Sequence, residues 1–423
     1  MASVPLEERL AQMGQELREE LAEGKKLSSS FFRRAGQMVI EQLLAAEVAE
    51  TLGRDSHQRR SDGQHGYRNG YKTRKLKSGE GQVPVRLPQV RGLDEPYHSA
   101  LWQGLGRRSV NLDKLVTEMY VRGLSTRDIE DLLKEISDDG DTLLLSKSSV
   151  SQVTETLWEE YEAFTKRDLS AFDVVYLFVD AIYESLRQQG GCKEALLVTW
   201  AILSDGSKVL LHLSQGSKES QASWLEHFRS LVSRGLPSPL TVTSDGAPGC
   251  MAAIEAMWPE AERIRCWFHK MQNVLDKVPD EMRETIRRLL TDVRDAPDHA
   301  TGQKRATALI EQYRRELPSA MASLEDDLEA SLTHLKLPSL HQRAVRTTNL
   351  AERGFEEERR RAKVLPRFRG ERECLKLVFG VLWRTSERWR KVKFTTLEKK
   401  QLEAYIRVRK AMGKNVRDLF TAA

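Results

Sequence analysis

The chain has 423 residues, of which 40% are hydrophobic and 30% charged, with a formal net charge of +5; it can bury a substantial core, and its length calls for two to four domains. Its longest apolar runs, VVYLFV (174–179) and ALLVTWAIL (195–203), fall short of the ~20 residues of a membrane span, and MASVPLEERL lacks the apolar centre of a signal peptide, so a cytoplasmic protein with no membrane partner is expected. The charge is unevenly placed: ten Lys/Arg against three acids between Arg54 and Arg91, and sixteen against seven between His341 and Phe394, a striping that suits nucleic acid but also describes solvated faces.

Residues 6–52 show helical spacing broken at GKKLSSS, which predicts two helices ending at Gly53. GYRNGYKTRKLKSGEGQVPVRLPQV combines turn signals with short alternating runs and predicts a small basic hairpin in which Pro84 and Pro88 restrict the strand to an edge. Three short helices follow from Asn111. Gly123 stops the first, Ser125 and Asp128 form a capping box for the second, and Ser146 caps a third that carries Val150, Val153 and Leu157 on one face. This spacing fits a helix-turn-helix, with Lys147, Ser149 and Gln152 on the solvent side where base edges and phosphates would be met; an ordinary three-helix packing unit fits it equally.

After residue 170 the pattern turns to strands: VVYLFVDAIYESLR, CKEALLVTWAILSDG with its Ser-Asp-Gly turn, and KVLLHLSQG. A helix through Trp224 and Phe228, the strand PLTVTSD, a helix through Met251 and Ile254, and the strand RIRCWF complete a βββ-α-β-α-β succession, which is that of an RNase H-like fold. From Asp280 to about Leu335 the texture is purely helical, too long for a loop and therefore an inserted all-α subdomain. In the tail, Thr395 and Glu398 form a capping box and Gly413 is the expected stop.

Asp180 follows six apolar residues, which puts a carboxylate at or near the end of a buried strand. Such a group requires hydrogen-bond donors or a cation, and a capped strand end would satisfy it. Asp245 in TVTSDGAPG ends another strand and is equally consistent with a helix N-cap. In this succession the first and fourth strands lie side by side, so the two acids emerge together, and a divalent ion is the simplest remedy for their repulsion. Asn349 and Glu352 are spaced as a capping box, yet their helix follows the insertion where it would pack over those strands, and a third carboxylate there completes sites for two Mg2+ ions about 4 Å apart. Glu356, Glu357 and Glu358 can pair with Arg359, Arg360 and Arg361 or sit in solvent; the arginines can also clamp DNA phosphates. The four cysteines show no CxxC spacing, so reduced thiols are expected. Cys266-x-x-His269 supplies only two ligands of a zinc site, with Cys250 a nearby third; packing at the active-site edge, or a phosphate contact from His269, is the other reading.

Taken together, GYRNGY, GLSTRDIEDLL, VDAIYESLR, TSDGAPG, RCWFHKMQNVLDKVP, TTNLAERGFEEERRRAKVLPRF and LVFGVLWRTSERWRKVKF resemble the mutator-type transposases of bacterial insertion sequences over nearly the whole chain. The resemblance implies a DDE transposase with Asp180, Asp245 and Glu352 as catalytic, metal-binding acids, Mg2+ (or Mn2+) as cofactor, terminal inverted repeats and target DNA as double-stranded partners, a homodimer, and work in the bacterial cytoplasm on nucleoid DNA. The expected organisation is an N-terminal helical region (1–53), a basic hairpin region (54–105), a helix-turn-helix domain (106–165), an RNase H-like α/β core (166–279 and 341–394) split by the helical insertion (280–340), and a C-terminal helix (395–423). The rival is a non-cutting DNA-binding regulator derived from such an enzyme.

Overall fold

A computed structural model describes residues 6–22, 29–62, 64–135, 144–185, 193–216, 220–362, 368 and 370–420, with side chains excepted at 6, 7, 20, 185, 193, 349–354, 362 and 410–420. It divides into two compact units, Met1–Thr156 and Leu157–Ala423.

The first unit begins with helices α1 (Leu6–Ala22) and α2 (Ser29–Leu52) and a hairpin of β1 (Tyr67–Ser78) and β2 (Gly81–Arg91). Leu44 of α2 packs against Leu76, Val83 and Val85 of the hairpin, while Glu41 accepts hydrogen bonds from the Arg86 backbone (3.0 Å) and guanidinium (3.2 Å). A short helix α3 (Ala100–Leu105) was not anticipated; Ser99 caps it, and Glu47 accepts from the Ala100 and Leu101 amides at 2.7 and 3.1 Å. Its six residues are too few for a period to register. Then come α4 (Val110–Val121), α5 (Thr126–Glu135) and α6 (Lys147–Thr154). The Ser125–Asp128 capping box closes reciprocally at 2.8 and 3.2 Å, and Ser146 caps α6. The helix expected to run on through Leu157 ends at Thr154 instead, and α7 (Thr156–Lys166) starts anew.

The second unit is built on one five-stranded sheet. Its strands are β3 (Val174–Ser185), β4 (Lys193–Leu203), β5 (Lys208–Gly216), β6 (Thr241–Ser244) and β7 (Glu262–Arg265), in the order β5-β4-β3-β6-β7. β3, β4 and β5 are antiparallel neighbours; β6 and β7 join parallel to β3. Near-continuous apolar runs suit strands covered on both faces. α8 (Gln221–Ser233) and α9 (Pro248–Met257) set Trp224, Phe228 and Ile254 into one cluster with Leu177, Leu197 and Val242, where truncating Phe228 to Ala would cost ~3–5 kcal/mol.

After β7 come α10 (Trp267–Leu275) and five further helices, α11 (Asp280–Arg294), α12 (His299–Tyr313), α13 (Pro318–Glu325), α14 (Leu328–Leu332) and α15 (Ser339–Val345). Trp267, Ile286, Leu290, Leu309 and Leu332 share a second core, so the helical stretch has its own apolar centre. The chain then returns through α16 (Asn349–Ala362), which packs on β3, β4 and α17 (Glu371–Glu387). The last helix, α18 (Thr396–Phe420), opens at the Thr395–Glu398 box (3.0 and 3.2 Å). It continues through Gly413 rather than stopping there: one interior glycine costs a helix only ~1 kcal/mol. Among the described residues no helix is long and apolar enough to cross a membrane.

Candidate active site

The parallel pairing of β3 with β6 matches Tyr176 to Thr241, Leu177 to Val242 and Phe178 to Thr243. Two residues further along each strand stand Asp180 and Asp245, so the same register puts these acids at equivalent positions. Asp180 does not end its strand; β3 runs on to Ser185. It is 7% exposed, whereas Asp245, one residue past β6, is half-buried. Asp245 does not cap α9 either. The N-cap is Ala247, whose amide donates to Asp245 Oδ1 at 2.9 Å.

Between the two positions Gly246 takes φ +83°, and a Cβ there would lie 1.0 Å from the Arg265 guanidinium. Only glycine lets that cation close over the turn next to Asp245.

Burial, and then the charge of Asp245, push the Asp180 carboxyl up to about 7, against the pull of His269 and of hydrogen bonds from the Ala181 amide and the Thr348 hydroxyl. The Ala181 bond measures 2.9 Å. Thr348 is held in turn by Cys266: its amide donates to the sulfur at 3.3 Å and its hydroxyl lies 3.4 Å from it. When Asp180 is ionised it can only accept, so the Thr348 proton then points to Asp180 and the Cys266 thiol donates back to the hydroxyl. Cys266 is buried and its thiol is pushed up by that burial. It therefore works as a neutral donor here, and with Thr348 it forms a relay that sequence spacing could not reveal across 82 positions.

The segment carrying Thr348 is pinned to the sheet edge at three points: Thr243 Oγ1 donates to Val345 O (2.9 Å), the Trp267 amide donates to Arg346 O (2.9 Å), and Tyr176 Oη lies 2.6 Å from His341 Nδ1. This brings α16 onto β3 and β4, whereas the helix that carries Glu352 was expected over β3 and β6. The side chains of Asn349 and Glu352 lie outside the described residues, and with them the capping-box reading. His269, the neighbour whose charge favours ionised Asp180, is half-buried with Nδ1 unpartnered among the described residues. Cys250, Cys266 and Cys374 are buried and not disulfide-bonded; Cys192 lies outside the described residues. Among those residues no three His, Cys, Asp or Glu side chains converge as a metal site.

A family model described as "Transposase, Mutator family" matches residues 9–392. The chain belongs to the Mutator family of transposases. It is 31% identical to the transposase of insertion sequence element ISRM5 from Rhizobium meliloti (strain 1021), over 84% of this chain and 88% of that protein. It is 30% identical to the transposase of IS406 from Burkholderia multivorans (84% and 90%), and 30% identical to that of IS1081 from Mycobacterium tuberculosis (87% and 90%).

Membership of a transposase family directs attention to the cations. In α16, Arg360 and Arg361 both pair with Glu357, while exposed Arg359 donates to the Phe355 carbonyl at 3.3 Å and has no carboxylate partner among the described residues. Glu358, expected to pair with these arginines or face solvent, is 1% exposed. In the other unit, Gln152 is exposed and Lys147 and Ser149 half-buried on α6. Lys72, Arg74 and Lys75 stand exposed on β1 without acidic partners among the described residues, and Lys77 is held below the usual lysine value by burial and by Arg108 and Lys75.

Proposed function

We propose that this transposase binds the terminal inverted repeats of an insertion sequence as a homodimer in the bacterial cytoplasm, and catalyses metal-dependent DNA strand cleavage and strand transfer with Asp180, Asp245 and Glu352 as its acidic triad. The observation that carries the reading is the β3–β6 register: two carboxyls from different strands share one level of the sheet edge, and the helix bearing the third acid packs against β3. The order β5-β4-β3-β6-β7, with the outer two strands parallel to the first, supports an RNase H-like core.

The residues fit a divalent cation. The charge of Asp245 disfavours that of Asp180, which has too few donors to remain comfortably ionised out of water. Asp180, Asp245 and Glu352 would hold Mg2+, as two ions, with Mn2+ able to substitute. Bound there, the ions would activate the attacking oxygen and stabilise the leaving 3′ oxygen. The chain's own groups orient the acids and meet the DNA. Thr348 and the Ala181 amide fix the Asp180 carboxylate, and the His269 imidazole and the Arg265 guanidinium, which stand beside the acids, would supply donors for phosphate oxygens. In the first step water attacks a phosphodiester, leaving a 5′-phosphate and a free 3′-OH; in the second that hydroxyl attacks a target phosphodiester, forming a new phosphodiester bond and releasing a target 3′-OH.

End recognition is assigned to α4–α6 as a helix-turn-helix, with Lys147, Ser149 and Gln152 towards the major groove. The cations of β1 add phosphate contacts that carry no sequence information. The deciding experiment is a nicking assay on end-containing DNA with and without Mg2+. Metal-dependent nicks at the element ends are expected; tight end binding with no cleavage under any metal would establish the non-cutting regulator instead.

A further inference from the structure

β3 carries a second acid four residues beyond Asp180. Alternation along a strand puts Glu184 on the same face of the sheet as Asp180, the face on which α16 packs. Glu358 reaches that place from the third turn of α16. It is 1% exposed, and neither of its carboxyl oxygens has a hydrogen-bond donor among the described residues. The acid it meets there is Glu184.

At Glu358 the described residues add little positive charge. On β4 the cross-strand partner of Glu184 is Glu194, itself buried. From α17, Glu371 and Cys374 face the pair, and burial together with the charges of Glu184, Glu358 and Glu371 pushes the Cys374 thiol far up. Lys376 is buried on the same helix, but two residues on and so ~200° around from Cys374. Arg359, on α16 itself, is the cation that opposes this potential at Glu358. Burial, and then Glu184, hold the Glu358 carboxyl up at about 8. Two ionised carboxylates touching out of water would repel strongly; one proton between them turns the repulsion into a charge-assisted O–H···O⁻ bond, among the strongest of hydrogen bonds.

We propose that Glu184 and Glu358 share one proton, and that this bond fastens α16 to β3 and so holds Glu352 in place opposite Asp180. Both are positioning residues: neither reaches the reacting phosphate, and the role rests on reading Glu352 as the third catalytic acid. The proton sits in the seam between the strand that carries one acid and the helix that carries another. Its loss would separate the two elements and detune the site without unfolding the sheet.

The test compares the wild type with Glu358→Gln and Glu184→Gln in the full-length protein. Either amide donates an N–H to the remaining carboxylate, so the bond survives without a titratable proton. Wild-type Mg2+-dependent nicking should fall about tenfold, relative to each Gln variant, as pH rises from 7 to 9 through the pair's titration. An identical pH profile in all three proteins would overturn the proposal. Infrared spectra supply an arm independent of catalysis: the difference spectrum of wild type minus each Gln variant at pH 7 should show a protonated-carboxyl C=O band, beyond any contribution from Asp180, which all three proteins share. Absence of that band from the difference spectra overturns the shared proton even if no nicking is ever detected, whereas its presence in a protein that cannot nick would uphold the proton and defeat the catalytic reading of Glu352.

Discussion

Two acid pairs stand four residues apart on the same strand, and they resolve their repulsion differently. Asp180 and Asp245 sit where β6 ends and the chain turns at Gly246; Asp245 is half-buried, His269 and Arg265 stand beside them, and on the proposed reading a divalent ion neutralises them. Glu184 is likewise half-buried, but Glu358 is shut between β3, α16 and α17, with more acids behind it and, among the described residues, one arginine in front. An open pair can be neutralised by a cation from solution, while a sealed pair is neutralised by a proton. On the proposed reading, the groups that surround each pair, more than the number of carboxylates, separate a reactive site from a structural fastening.

The sharpest way to break this comparison is to remove charge from each pair in turn. Asp180→Asn and Asp245→Asn should each lower Mg2+-dependent nicking by orders of magnitude while end binding and melting temperature persist, because each removes a ligand from a site that works as a unit. Glu352→Gln should do the same, since Gln would serve equally as a helix cap. Near-normal nicking by a folded Glu352→Gln protein would pass the role to Glu356, one turn further along the helix. At neutral pH Glu358→Gln should leave nicking nearly intact; a loss as deep as that of Asp180→Asn would erase the distinction between the pairs.

A second expectation concerns stability. Glu358 is an acid whose folded value, about 8, lies above its ordinary value of 4.5, so between these two pH values the folded chain holds a proton that the unfolded chain has released. Stability should therefore be greatest below pH 4.5 as far as this pair is concerned, decline by up to ~1.4 kcal/mol per pH unit as pH rises towards 8, and level off above. Melting curves between pH 5 and 8.5 should show a steeper decline for wild type than for Glu358→Gln; parallel curves would mean that the pair is not protonated at all.

Much of the open pair could be read from residue order, because an apolar run ending in Asp and a Thr-Ser-Asp-Gly turn are local signals, and the adjacency of first and fourth strands follows from the βββ-α-β-α-β succession. The sealed pair could not. Glu358 lies among Glu356, Glu357 and three arginines, and local spacing offers it partners one turn away; only the packing of α16 on β3 turns it inward. Thr348 was passed over for the same reason, since its partners Asp180 and Cys266 lie far off in the chain. Gly413 misled in the opposite direction, a stop signal of about 1 kcal/mol overridden by the rest of a 25-residue helix.

Thr348 allows a smaller test. Its hydroxyl donates to a charged acceptor, a bond of ~1.5–3 kcal/mol. Thr348→Val should therefore cost about tenfold or somewhat more in nicking, and Thr348→Ser should restore most of it. Full activity in Thr348→Val would show that Asp180 is positioned by its backbone and metal alone.

The smallest effect extends the comparison to cations. Arg361 is tucked beside Glu357 with its side chain 13% exposed, and Arg360 shares the same carboxylate at 3.1 Å, so both have an internal counter-charge before DNA arrives. Arg359 is exposed and makes no ion pair among the described residues; the acid it acts on, Glu358, holds its own proton on the proposed reading. Binding of a polyanion releases about one counter-ion for each phosphate that a cation neutralises, which makes the slope of log affinity against log salt a count of such contacts. Arg359→Gln should reduce that slope by about one unit, equally on end-containing and random DNA, because a phosphate contact carries no sequence information. Arg361→Gln should leave the slope unchanged, since its charge is already engaged and its loss merely frees Glu357. If instead Arg361 shifts the slope and Arg359 does not, the Glu357 pair must open on DNA, and the rule that an internally neutralised charge is unavailable to the substrate would fail on this helix.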